Sequence, residues 1–428
     1  AWNMVFELHE QKGLSEQAFS LLTKAVDANP SNDDLSQLFI ERLNRTGRKV
    51  EALGHMLKVV NRDKKTDPVW VRQAATYAMG LEAFREAADM YRLLLTIPGY
   101  DVTENRSFYL HCLLKRMNPL PERAEVGKLL RQIEEDSAAQ ELLATVMLRA
   151  RAEAFLGDTD KGITLARQGY KKAETSRQVY GWFNDTTDMI YVSFKKGNVF
   201  YRDLPDGRRQ AQKEVFDRFR KDRQPPPPIL VIMEVPFRQQ AGESIQKLLD
   251  EIVALESQLG DDLPAKVEMY RAMNQLYYAL GKYPEALEAC KKGLEIAPTE
   301  VEFNNNAAYT LSKHLDKPQE ALPFALAAAR GAGDASPVLD TVGQVYLQMN
   351  DVENAIRFLT RAADNARGPD EVVAANVHLG MARMMMKPAD IAAARKCYDR
   401  AREAHAKMPE AARKQFDADL DSLRQKVQ

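Results

Sequence analysis

Apolar residues recur along this chain at three- and four-residue steps, in short runs separated by glycine, asparagine or proline. Within residues 267–300, Tyr270, Met273 and Tyr277 fall at helical spacing. Gly281 then breaks the run, Ala286, Cys290 and Gly293 line one face of a second one, and Pro298 closes it. The spacing predicts two amphipathic helices joined by a short turn, an antiparallel hairpin. The small residues Ala286 and Gly293 let the two backbones approach closely, and the aromatic residues fill the space between turns.

The same frame returns downstream. Asn304, Ala307, Ala308 and Leu311 open a second copy that continues through Ala321, Ala325 and Ala328. Leu339, Val342, Gly343 and Tyr346 open a third, with Ala355, Leu359 and Ala362 on its second helix. Leu379 and Gly380 begin a fourth, with Ala394, Tyr398 and Ala401 after a longer turn. At the N-terminal end, Trp2, Val5, His9 and Gly13 lead into Ala18, Leu22, Ala25 and Pro30, although Phe6 stands where a small residue is usual. Two more copies run through Phe39, Leu43, Gly47, Ala52 and Met56, and through Trp70, Ala74, Tyr77, Ala87 and Tyr91.

The middle of the chain is less regular. Residues 103–135 read as a degenerate hairpin bent at Asn118-Pro119-Leu120-Pro121, and residues 138–173 as another, turning at Gly157-Asp158. Helices are expected at 175–196, at 207–222 and at 242–259. The prolines at 225–228 predict polyproline II, and Pro225 to Pro236 an extended segment pressed against its neighbours. A charged amphipathic helix over 409–426, through Ala412, Phe416, Leu420 and Leu423, would cover the open face of the last hairpin.

The unit at 267–300 resembles the tetratricopeptide repeat, a helix–turn–helix of about 34 residues. The resemblance implies an all-α fold: a right-handed α-solenoid with an N-terminal block over 1–174, an irregular segment over 175–263, and a regular block with a capping helix over 264–428. It also implies that the signature residues are structural, because a single hairpin cannot bury its apolar face without neighbours. Function then belongs to other positions, and in such repeats the second, fifth, sixth and ninth places of each first helix usually face the groove. Those places give Arg271 and Gln275, then Asn305 and Asn306, then Asp340, Thr341 and Gln344, and in the last repeat His378. An asparagine amide both donates to and accepts from a peptide backbone, so it can hold an extended chain whatever its side chains. Arg271 and Asn306 match two places of the carboxylate-holding adaptor repeats, with Gln275 a near substitute for an asparagine. Pro337 and Thr341 stand where that pattern has bases, which argues against a true carboxylate clamp. The candidate groove residues are Arg271, Gln275, Asn305, Asn306 and Gln344.

Composition narrows the alternatives. Sixty Lys and Arg against 61 Asp and Glu leave a formal net charge of −1, so no global field steers nucleic acid or anionic membrane to the chain. The exception is local: residues 195–223 carry a basic excess with Phe200, Tyr201, Phe216 and Phe219 interleaved, a pattern that can hold single strands. Phe216 and Phe219 are three apart, as on a core-facing helix stripe, and acids are mixed in, which favours a charged packed helix over a nucleic-acid surface. Cys112, Cys290 and Cys397 are far apart, which excludes a disulfide framework or a Cys-based zinc site. The six histidines are dispersed, and no phosphate loop, dinucleotide turn or nucleophile elbow is present, so neither catalysis nor a cofactor is expected. The polyproline run lacks the flanks of a recognition motif and reads as a rigid spacer.

No run reaches the roughly 20 apolar residues of a membrane helix, and Ala1-Trp2-Asn3-Met4 is no signal peptide, so the start is expected to be that of a trimmed chain. Unpaired cysteines suit a cytosol without excluding a bacterial periplasm. The function these observations imply is a scaffold or adaptor that holds a protein or peptide partner in its groove. The alternative is the substrate-recruiting part of a larger enzyme or envelope machine.

Overall fold

Small residues set the spacing of the fold. Ala52 and Ala87 in the first half, and Ala286, Ala321, Ala355 and Ala394 in the second, all lie on second helices and are fully buried. Each permits a first helix to cross at close range. In the computed structural model of the chain, residues 15–62, 67–116, 118–136 and 142–428 are described. The expected first helix of the N-terminal repeat, through Trp2, Val5 and His9, lies outside the described residues.

The chain divides into two compact units, the first ending at Pro225 and the second beginning at Pro226. The division falls inside the segment 175–263, whose first part packs in one unit and whose second part packs in the other. In the first unit α1 (Ser15–Ala28) is followed by four hairpins of antiparallel helices: α2 (Asp33–Arg45) with α3 (Lys49–Arg62), α4 (Pro68–Gly80) with α5 (Phe84–Leu94), α6 (Thr103–Lys115) with α7 (Arg123–Glu134), and α8 (Leu143–Leu156) with α9 (Thr159–Lys172). Side-chain caps start several of them: Asn32 accepts from Leu35 N, Asp67 from Val69 N and Asp158 from Lys161 N.

A longer helix, α10 (Ser176–Ser193), starts on a capping box between Thr175 and Gln178 and packs on α8. Its Trp182 is fully buried, donates from Nε1 to Ala166 O at 2.8 Å and stacks on Tyr170 at 4.3 Å. Beyond it the chain does not continue as helix to 196. Lys195–Lys196 (β1) pairs antiparallel with Val199–Phe200 (β2) around Gly197-Asn198, where Gly197 takes φ +64°. A 3₁₀ turn leads into α11 (Gly207–Phe219), which lays Phe216 on Phe183 and Phe219 on Trp182.

The second unit opens with a correction to the sequence reading. The stretch expected to be extended is a helix, α12 (Pro228–Gln240). Pro228 occupies the first helical position, where a missing N–H costs nothing, and Pro227 keeps the extended backbone just before it. Ile229, Leu230, Val231, Ile232 and Val235 are all buried, so the helix is apolar on most sides and shows no helical periodicity. Pro236 inside it removes one backbone donor, which the packing overrides. Arg238 ties its end to α13 (Ile245–Leu255) through Glu243 at 2.7 Å and Glu251 at 2.6 Å.

Four hairpins follow: α14 (Leu263–Ala279) with α15 (Tyr283–Ile296), α16 (Val301–Tyr309) with α17 (Pro318–Ala332), α18 (Ser336–Gln348) with α19 (Val352–Asn365), and α20 (Pro369–Met385) with α21 (Ile391–Ala406). A π-turn at Thr310–His314 extends α16. Backbones meet closely at glycines within and between hairpins. A Cβ on Gly293 would stand 2.5 Å from the Phe303 ring of the next hairpin, and one on Gly343 would stand 2.4 Å from Leu359. The expected single capping helix is broken: α22 (Glu410–Arg413) and α23 (Asp417–Val427) are separated at Lys414–Phe416. Leu423 of α23 reaches over Gly380, where a Cβ would stand 2.7 Å away, so the cap covers the last hairpin as expected. Among the described residues no helix is long and apolar enough to cross a membrane.

Candidate functional site

In the second unit the first helices of successive hairpins border a cleft of about 530 Å³. Gln275 and Tyr278 come from α14, Asn305, Asn306 and Tyr309 from α16, Asp340 and Gln344 from α18. Asp370 and Glu371 enter from the first turn of α20, and Phe416 from the break in the cap. Four of the five groove residues expected from the sequence, Gln275, Asn305, Asn306 and Gln344, therefore line one cavity.

Arg271 does not line it. Its guanidinium is ringed by carboxylates, with Glu268 at 2.5 Å, Glu302 at 2.8 Å and Glu300 at 3.1 Å, and it lies 5.7 Å from the centre of the Phe303 ring. Burial works against its charge, but the three carboxylates outweigh that and hold its pKa above the ordinary value. Arg271 thus fastens α14 to the start of α16.

The amides differ in what they have left to offer. Asn274, at the eighth place of the repeat where Ala308, Gly343 and Gly380 stand in the others, is buried inside its hairpin. It donates from Nδ2 to Ala286 O at 3.0 Å and accepts at Oδ1 from Asn306 Nδ2, also at 3.0 Å. Asn306 is thereby oriented with its donor engaged. The neighbouring Asn305 carries a buried Oδ1 without a hydrogen-bond partner. A buried acceptor in that state costs about 1–3 kcal/mol, which a donor arriving in the cleft would relieve. Gln275 Nε2 reaches Glu302 only at 3.4 Å.

On the opposite wall Asp340 accepts from Gln344 Nε2 at 2.7 Å and from His378 Nδ1 at 2.8 Å. Burial lowers the His378 pKa, yet the charge and hydrogen bond of Asp340 prevail and raise it overall. Glu371 accepts from Arg367 N at 2.8 Å, while Asp370 is exposed. The lining includes three carboxylates and neither lysine nor arginine. At its α14 end the Tyr278 hydroxyl lies 2.8 Å from His314 Nε2, and His314 stacks on Tyr283 at 3.7 Å. Sequence reasoning did not find Tyr278, Asp370, Glu371 or Phe416. The acids lie in the first turn of the following repeat, and Phe416 is supplied by the cap. The one available signal was Asn274, a polar residue at a close-contact place.

A larger and more apolar cleft, about 840 Å³, lies in the first unit between α2 and α4 and is bordered by Met56, Val69, Tyr77 and Leu81. Within the basic, aromatic stretch 195–223 Tyr201, Phe216 and Phe219 are buried, Arg208 pairs with Asp188 at 2.8 Å and Arg218 with Glu214 at 2.7 Å, while Lys195 and Lys196 are exposed. All three cysteines are buried. No group of three histidine, cysteine or acidic residues able to hold a metal occurs among the described residues.

No protein-family model matches the chain, and no curated protein matches it. Solved structures do. MamA, residues 41 to the end, from Desulfovibrio magneticus RS-1 is 18% identical over 43% of this chain and 98% of its own, with a TM-score of 0.36. YrrB, titled a TPR protein with an unusual peptide-binding site, is 15% identical over 50% of this chain and 96% of its own, at 0.36. A Cut9–Hcn1 hetero-tetramer structure is 13% identical over 100% of this chain and 83% of its own, at 0.39. The chain is an all-α array of repeated antiparallel helical hairpins. Its recurring buried alanines, hairpin turns and glycine contacts establish that on their own geometry.

Proposed function

We propose that this protein is a non-catalytic interaction module whose second unit holds an extended segment of a partner protein in the cleft between α14, α16 and α18. The observation that carries the reading is the pairing of an unpartnered buried acceptor, Asn305 Oδ1, with a rim of Asp370 and Glu371 in a lining free of lysine and arginine. A backbone N–H would satisfy Asn305, and the carboxylates favour a segment carrying lysine or arginine over one ending in acids. Tyr278, Tyr309 and Phe416 supply flat apolar surface for the stems of such side chains.

Panning a random peptide library on the full chain and titrating the selected peptides by fluorescence anisotropy tests this. Cationic peptides are expected, bound more weakly as salt rises. Loss of one buried hydrogen bond of about 1 kcal/mol should weaken them about five-fold in Asn305→Ala. A paired Asp370→Asn and Glu371→Gln variant should lose the preference for cationic sequences. Peptides that bind both variants as tightly as the unaltered chain would sink the reading.

A further inference from the structure

We infer that the first unit carries a second binding site, separate from the peptide cleft, that takes a small organic phosphate between Arg123, Lys195 and Arg202. Lys195 and Arg202 flank the short β-hairpin, Arg123 comes from the start of α7, and the three meet in a cavity of about 710 Å³, within the range of small-molecule pockets. Its charged lining is those three, Arg218 and the single carboxylate of Asp160.

The cations are not consumed by ion pairs. Lys195 has no carboxylate partner among the described residues and lies 4.7 Å from the centre of the Phe200 ring. Arg202 lies 4.1 Å from the centre of the same ring and donates from Nη1 to Val192 O, with Asp203 no nearer than 3.9 Å. One aromatic ring therefore gathers two positive heads that would otherwise repel each other. Arg123 donates from Nη2 to Leu156 O, and a Cβ on Gly157 would lie 3.2 Å from that same nitrogen. Arg218 is different: Glu214 holds it in a two-pronged pair at 2.7 and 2.8 Å, so it shapes the wall without adding net charge.

Three cations facing one carboxylate in a shared hollow is a cost to the folded chain that a multiply charged anion removes. A phosphate ester supplies two negative charges and the oxygen array that guanidinium forks match. The same lining includes Phe155, Ile163 and Phe194, apolar surface that suits a ligand with an organic body over a bare ion. The cations sit within one hollow and do not follow a groove as a single-strand track would.

Isothermal titration of the full chain at low salt with adenosine monophosphate, inorganic phosphate and an oligothymidylate tests the inference. Saturable binding of the nucleotide is expected, with inorganic phosphate weaker. Lys195→Ala removes one charge-assisted contact without touching the core and should weaken the nucleotide about ten-fold with an unchanged melting temperature. Asp160→Asn should tighten it, a gain that damage to the fold cannot mimic. No saturable binding at millimolar nucleotide, or affinity unmoved by both variants, would overturn the site. Equal binding of inorganic phosphate would overturn the organic ligand, and tighter binding of the oligothymidylate would overturn the small-molecule reading in favour of nucleic acid.

Discussion

Substituting glycine by alanine inside a helix should have opposite signs at two places in this chain. Gly54, within α3, has open space where a Cβ would go, with nothing inside 4 Å. Gly54→Ala therefore gains only the helix propensity of alanine, about 0.5–1 kcal/mol. Gly293, within α15, faces the fully buried Phe303: a Cβ there would lie 2.5 Å from two ring carbons and 2.8 Å from a third. The ring cannot swing into solvent, so α15 and α16 must move apart. Overpacking of this kind typically costs 1–3 kcal/mol, from which the propensity gain is subtracted, leaving a net loss of about 1–2 kcal/mol. For a unit of this size each kcal/mol moves the midpoint by roughly 2–4 °C, so Gly293→Ala should lower the transition of the second unit by about 2–8 °C. Because two units need not unfold together, the assay is hydrogen exchange of peptides covering 283–309 alongside calorimetry. Gly54→Ala should protect 49–62 slightly more. If Gly293→Ala proved neutral or stabilising, the account of backbones held close by missing side chains would be wrong.

Other expectations follow from the same contacts. Arg271→Met should destabilise the second unit by about 1–3 kcal/mol, because it leaves Glu268, Glu300 and Glu302 crowded without their shared cation; denaturant titration reads it. His378 has a raised pKa, so its pairing with Asp340 stabilises the fold fully below the unfolded value of about 6.5 and the benefit fades as pH rises through the higher folded value. Melting curves from pH 5 to 9 should show that decline, and His378→Gln should flatten it. Asp419 and Lys313 also act on this imidazole, in opposite directions, so the titration is best followed at His378 itself by NMR. Burial pushes the Cys112 and Cys290 thiols up to about 12 and raises Cys397 as well, so a thiol reagent at neutral pH should react with the native chain only on unfolding.

The hairpins were readable because their rule is local. Alanine or glycine at the crossing places, with Gly157 or Gly281 at the turn, specifies the same packing wherever it recurs, and α14 to α21 follow it. The segment 228–240 was misread because its residues are buried nearly all round. Periodicity vanishes in such a helix, and proline at its first position looks like proline that forbids it. Within the cleft, the amides Asn305 and Asn306 could be placed from the frame alone. What their neighbours do to them could not. Whether Arg271 faces a ligand or three glutamates depends on rotamers set across two hairpins, and Phe416 reaches the cleft only because the cap breaks at Lys414–Phe416. Lys195 and Arg202 share the basic stretch 195–223, but only the fold brings Arg123 to them.

The amide of Asn274 has a consequence for the identity of each repeat. In an array of consensus hairpins any copy can stack on any other, and the order of copies carries no information. Here Asn274 reaches back to Ala286 within its own hairpin and forward to Asn306 in the next, so it accepts one successor and penalises the rest. Exchanging the second and third hairpins would bring Thr341, from the third, to the place of Asn306; its shorter hydroxyl donates to Pro337 O of its own helix at 3.0 Å, so Asn274 Oδ1 would lose the amide donor it has now. A single amide contact thus works as an address label. It fixes which hairpin comes next and so keeps the residues that line the cleft in a single order.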